Sequence, residues 1–141
     1  MPSDTQTAPV SKKSLWAGRI MSALVILFLA LDVAFKFVKP APAPVVETFA
    51  RLGWPLSLGP VLGIVLLVST ALYAIPITSV LGAILLTGYL GGAIATHLRV
   101  GDPLFSHVLF PTYLGVLLWG GLYLREPRLR ALIPLRTPKA P

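Results

Sequence analysis

The chain has 141 residues, of which 55% are hydrophobic and only 12% charged. An average soluble domain carries roughly 25% charged residues, and a chain this short has too little interior to hide so much apolar surface. The composition excludes an ordinary soluble domain and points to a membrane. The absence of cysteine excludes disulfides, thiol chemistry and iron–sulfur ligation by this chain. The net charge of +7 lies beside apolar runs, with no basic stripe interleaved with aromatics, so it reads as a topology signal and not as a nucleic-acid footprint.

Residues 1–14 read as a disordered polar tail ending in Lys12 and Lys13. The first apolar run, 15–38, is long enough to span as a helix. Pro40, Pro42 and Pro44 break it, and Glu47, Arg51 and Trp54 belong to a connector that reads as a short interfacial helix. Further spans are expected at 58–75, 77–97 and 104–124, with Pro76 closing the second and Pro111 kinking the fourth near its start. Arg99, Gly101, Asp102 and Pro103 form the turn between the last two. After Leu124, arginines mix with leucines, and a short interfacial helix is expected with Leu129, Leu132 and Ile133 in lipid. Residues 15–134 then make one four-span domain, followed by a basic tail, 135–141.

The predicted fold class is all-α, a four-helix transmembrane bundle with both termini cytoplasmic. Lys12, Lys13, Arg125, Arg128, Arg130, Arg136 and Lys139 lie at the terminal end, whereas Lys39, Arg51 and Arg99 are offset by Glu47 and Asp102 at the other. Trp16, Tyr73 and Tyr123 are expected at the inner interface and Trp54 at the outer one. A cleaved signal peptide is disfavoured, because Asp32 and Lys36 interrupt the first apolar run and Pro44 would follow the cut.

Two kinds of residue stand out within the spans. Small residues recur at steps of four: Gly59 and Gly63 in the second span, and Gly88, Gly91 and Gly92 among others in the third. Such spacing predicts close helix packing within the bundle, or a seam between copies. Asp32 and Lys36 share a helical face, with Asp32 about six residues, or roughly 9 Å, inside the helix end. Ionisable groups at such depth face a bundle interior or a water-filled cavity. Four spans carry Asp32, Lys36, Glu47, Arg51, His97, Arg99, Asp102 and His107 toward one outer mouth, the expected pocket. Asp32, Lys36, His97 and Arg99 are the expected ligand-binding residues, the alternative for Asp32 and Lys36 being a self-neutralising pair that fixes the rotation of the helix. His97 and His107 match no established metal spacing, so no metal is expected, and no phosphate loop, nucleophile elbow or dinucleotide fingerprint is present.

Trp16-x-x-Arg19, Asp32 with Lys36, Tyr73-x-x-Pro76, Gly82, Gly88-Tyr89-Leu90-Gly91-Gly92-Ala93 and Thr96-His97 together resemble the DoxX-like family of small bacterial integral membrane proteins. The resemblance runs from about Leu15 to Pro134. It implies a multi-pass protein of the bacterial inner membrane, in contact with lipid and with a membrane partner or further copies of itself. It does not imply one activity. The leading expectation is an accessory, non-enzymatic protein that binds a small ligand and needs no cofactor. The alternative implied by one branch is a subunit of a quinone-linked oxidoreductase acting on a small sulfur anion such as thiosulfate. In that case Arg99, Arg51 and Lys36 would hold the anion and His97 would move a proton.

Overall fold

Ser11 starts the first helix: its side chain accepts from the Ser14 N–H at 3.2 Å, and α1 runs Lys12–Phe37. A computed structural model describes residues 9–132 of the chain. Residues 1–8 and 133–141, which hold most of the two expected tails and Ile133, lie outside the described residues. The elements that follow are α2 (Ala43–Leu52), α3 (Gly59–Ala74), α4 (Ser79–Arg99), α5 (Phe110–Arg125) and a single turn, α6 (Pro127–Arg130). Among the described residues, four helical segments are long and apolar enough to cross a membrane: Lys12–Phe37, Leu56–Ala74, Pro76–Arg99 and Leu104–Arg125. A helix satisfies its own backbone groups, which is why each apolar run has this one solution in lipid.

Between α3 and α4 the chain reverses almost on the spot. Ile75 precedes Pro76 and is extended, with φ −83 and ψ 120, which ends α3. Thr78 Oγ1 then donates to the freed Leu72 carbonyl at 2.8 Å. Pro111 does not kink a continuous span. A π-helical turn, Leu104–Val108, comes first, and Pro111 stands in the opening turn of a new helix, where its missing N–H costs nothing.

The four long helices pack as a ring in the order α1, α3, α4, α5, each beside an antiparallel neighbour. The core runs along its axis through Val25, Leu29, Leu66, Leu86, Leu118 and Leu122. At the end holding Ser14 and Arg130, the closest approaches are made by glycine. A Cβ on Gly18 would lie 2.7 Å from the Gly121 carbonyl, and one on Gly121 would lie 2.7 Å from Ser22 Oγ. Gly82 lies against the backbone of Leu72 and Tyr73, so closely that no Cβ fits. A Cβ on Gly63 would lie 2.8 Å from the Phe37 ring, and one on Gly59 would lie 3.5 Å from the Lys36 carbonyl. Gly88, Gly91 and Gly92 make no such close approach within the bundle, because a Cβ on any of the three meets nothing within 4 Å among the described residues.

Tyr73 also departs from expectation. It is 0% exposed, in the core and not at an interface. Its hydroxyl donates to the Leu118 carbonyl at 2.8 Å and pairs with Ser22 Oγ at 2.8 Å, tying α3 to α5 and α1. Tyr73→Phe strands two polar groups away from water, and thermal unfolding in detergent should show a loss of about 1 kcal/mol. Of the residues expected in lipid at this end, Leu132 is exposed, whereas Leu129 is not. Leu129 is only 6% exposed against the bundle, and Arg130 donates to the carbonyls of Tyr123 and Leu124 and to Ser14 Oγ. An arginine with several inward acceptors at a helix end folds the segment back onto the protein.

Candidate functional site

Away from that tail end, α1 and α4 face each other across the ring and do not close on one another. Two stripes at steps of four look inward: Phe28, Asp32 and Lys36 on α1, and Tyr89, Ala93 and His97 on α4. They line a cavity of about 480 Å³, walled by Leu62 of α3 and by Phe110, Pro111 and Leu114 of α5. Thr48, Phe49 and Leu52 of α2, with Trp54 just beyond, cover it. Most of the wall is aliphatic or aromatic, with a few polar groups on it. On one side the wall is low. Gly88 and Gly92 border the cavity, are exposed, and present nothing within 4 Å of a Cβ, so it opens sideways toward the lipid-facing surface.

Inside the cavity, Lys36 Nζ donates to Asp32 Oδ2 at 2.6 Å. The lysine side chain is covered, at 11% exposure, and the aspartate is the open partner, at 39%. Asp32 is among the residues that line the space.

Two left-handed glycines build the rim. Gly53 (φ +70) ends α2, with its N–H on the Ala50 carbonyl and the Trp54 N–H on that of Phe49. Gly101 (φ +73) ends α4 the same way, with its N–H on Leu98 and the Asp102 N–H on His97. This paired closure needs a residue at positive φ, which glycine adopts without strain. The first turn aims Trp54 at the cavity. The second swings Asp102 back over His97, so that Oδ2 meets Nδ1 at 2.5 Å. Arg51 of α2 donates to Oδ1 of the same carboxylate, and Arg99 NH2 donates to the Leu52 carbonyl at 2.5 Å. His107 completes the group, its ring 5.9 Å from that of His97 and its Nδ1 2.8 Å from Ser106 Oγ.

Of the expected site residues, Asp32, Lys36 and His97 come together at the cavity. Arg99 does not line it but ties α2 to α4 from outside. Each cation expected to hold a small anion is already engaged: Arg99 by Leu52, Arg51 by Asp102 and Lys36 by Asp32. Phe28, Thr48, Phe49, Tyr89 and Thr96 were not anticipated as lining residues. The signal for Phe28 and Tyr89 was present, since each lies on the same helical face as a charged or imidazole group one or two turns away.

Asp102 acts as a latch for the cover. The hydrogen bond with His97, and after it that from Arg51, holds its carboxyl below the usual carboxylate range, against the opposing effect of partial covering. A depressed carboxyl stabilises the folded form above its unfolded value, about 3.9, and that contribution is lost as pH falls through the folded value. Hydrogen-exchange protection of α2, corrected for intrinsic rates, should stay level from neutral to mildly acidic pH and fall below about pH 4. Asp102→Asn should give the open pattern at neutral pH.

The family's sequence model, that of the DoxX-like family, matches residues 20–121, spanning most of α1 through most of α5. The chain belongs to the DoxX-like family. The match covers both cavity stripes, the rim and the tight turn at Pro76. No curated protein and no solved structure matches the chain. Family membership and four apolar helices make it a multi-pass integral membrane protein in contact with the lipid bilayer.

Proposed function

We propose that this DoxX-like protein is a non-enzymatic, accessory membrane protein that binds a small amphipathic molecule in the cavity under α2. The observation that carries this reading is the open Asp32 carboxylate, backed by covered Lys36, in a space of about 480 Å³ that is otherwise largely apolar. The size is that of a small-molecule site. The ion pair would hold a polar head, while the low wall at Gly88 and Gly92 lets an apolar tail pass toward lipid. The sulfur-anion reading has less support, because its three proposed cations are committed to partners within the chain.

The protein is further proposed to lie in the bacterial inner membrane with its tail end in the cytoplasm. Lys12, Lys13, Arg19, Arg125, Arg128 and Arg130 crowd that end, as the positive-inside rule requires. Because the chain lacks cysteine, single substitutions report cleanly. In intact cells Glu47→Cys should react with a membrane-impermeant maleimide, and Lys13→Cys should react only after permeabilisation. The reverse pattern would invert the topology.

The binding reading is tested by native mass spectrometry from mild detergent. The wild type should carry a bound amphipath that is absent from the Asp32→Ala, Lys36→Ala double variant. A bare wild-type chain, or equal occupancy in both proteins, would overturn it.

A further inference from the structure

At the rim of the same cavity, Asp102 fixes one imidazole nitrogen of His97, and the other has no hydrogen-bond partner among the described residues. An ionised Asp102 can only accept, so Nδ1 carries the proton of that hydrogen bond, and in the neutral form of the ring the lone pair is on Nε2. Arg51 on the second carboxylate oxygen keeps the aspartate from turning away, and the ring itself lines the cavity. A carboxylate-oriented imidazole beside a mostly apolar space is the arrangement of a proton acceptor for a bound molecule.

We propose that His97, positioned by Asp102, takes the proton of an acidic hydroxyl on the amphipath, so that the cavity holds weakly acidic, phenol-like amphipaths as their anions. The inference rests on the binding reading above and names its ligand class. In the step, the ligand O–H bond breaks and an Nε2–H bond forms. The new imidazolium lies between the Asp102 carboxylate and the ligand oxyanion. No electron transfer or third reactant is involved.

The charges around the ring are paired. From α1 come Asp32 and Lys36, paired; from α2 comes Arg51, paired with Asp102 of the loop; α4 adds Tyr89; and the π-helical turn adds His107. The lining residues of α3 and α5 carry no charge. The two ion pairs cancel, so the proton on His97 is balanced by the ligand oxyanion. His107 is less suited to the role, because its Nδ1 meets a serine hydroxyl and no carboxylate.

The test uses a hydroxycoumarin bearing a long alkyl chain, whose phenol and phenolate absorb at different wavelengths. It is added to the full chain in phosphatidylcholine nanodiscs. Energy transfer from the protein's tryptophans measures occupancy, and absorbance measures protonation. In the wild type the bound probe should titrate at least about one pH unit below the probe in empty nanodiscs. His97→Gln should return it to the empty-nanodisc value, and Asp102→Asn should return it part-way, both with occupancy retained. Saturable occupancy with no shift in the wild type would overturn this inference and leave the binding reading standing. A shift that survives in His97→Gln would also overturn it. No saturable energy transfer in the wild type would overturn the inference and count against the binding reading together.

Discussion

Gly82→Ala should lower the melting point of the protein sharply, whereas Gly91→Ala should not weaken it. At Gly82 the new methyl falls on the backbone of Leu72 and Tyr73, at the tightest point between α3 and α4. Neither wall can yield as a flexible side chain would, since one is main chain and the other is a helix locked by the Thr78 cap and the Tyr73 hydrogen bonds. Overpacking of this kind costs about 3 kcal/mol or more, a large share of any small domain's stability. Gly91 points at nothing within 4 Å, so alanine there gains helix propensity, at most about 1 kcal/mol. Thermal unfolding of the two variants in one detergent checks both. Equal melting points would mean that the approach of α3 to α4 is looser than described.

The ion pair should behave as a unit in stability and as separate groups in binding. Lys36→Ala leaves Asp32 unpaired in the cavity, and Asp32→Ala leaves a covered ammonium without its carboxylate. Each single change should cost about 1–3 kcal/mol, below the range for a fully buried pair because Asp32 is partly open. The double variant should recover most of that, since no lone charge remains. Ligand occupancy should be lost in all three. Stability recovered together with binding in the double variant would make the pair a packing device only.

The spans were legible because an apolar run of this length bounded by prolines has one solution in lipid. Their ends moved by only a few residues, set by Ser11 before α1 and by the π-helical turn before α5. Helix rotation was less legible. These helices are apolar on nearly every side, so spacing alone does not say which face meets lipid. Steps of four among the small residues of α4 marked Gly88, Gly91 and Gly92, while the contact fell to Gly82, where the tight turn at Pro76 holds the backbones together. Tyr73 looked like an interfacial anchor because it precedes a turn, yet the buried Leu118 carbonyl on α5 accepts from its hydroxyl and turns it inward. The convergence of Asp32, Lys36 and His97 followed from topology. The exclusion of Arg99 did not, because it depends on the path of α2, which brings the Leu52 carbonyl to the guanidinium.

The central claim, an amphipath held under α2, is tested most directly by photocrosslinking in native membranes. A long-chain phenol carrying a diazirine next to its ring would be irradiated with the protein, and the adducts mapped by peptide mass spectrometry. The account predicts adducts concentrated on Leu62, Ala93, Thr96 and Phe110 around the cavity, competed away by the unlabelled phenol. Adducts spread over outward-facing Ile64, Leu81 and Val116, with no competition, would show that the molecule meets only the lipid-facing surface and would contradict it.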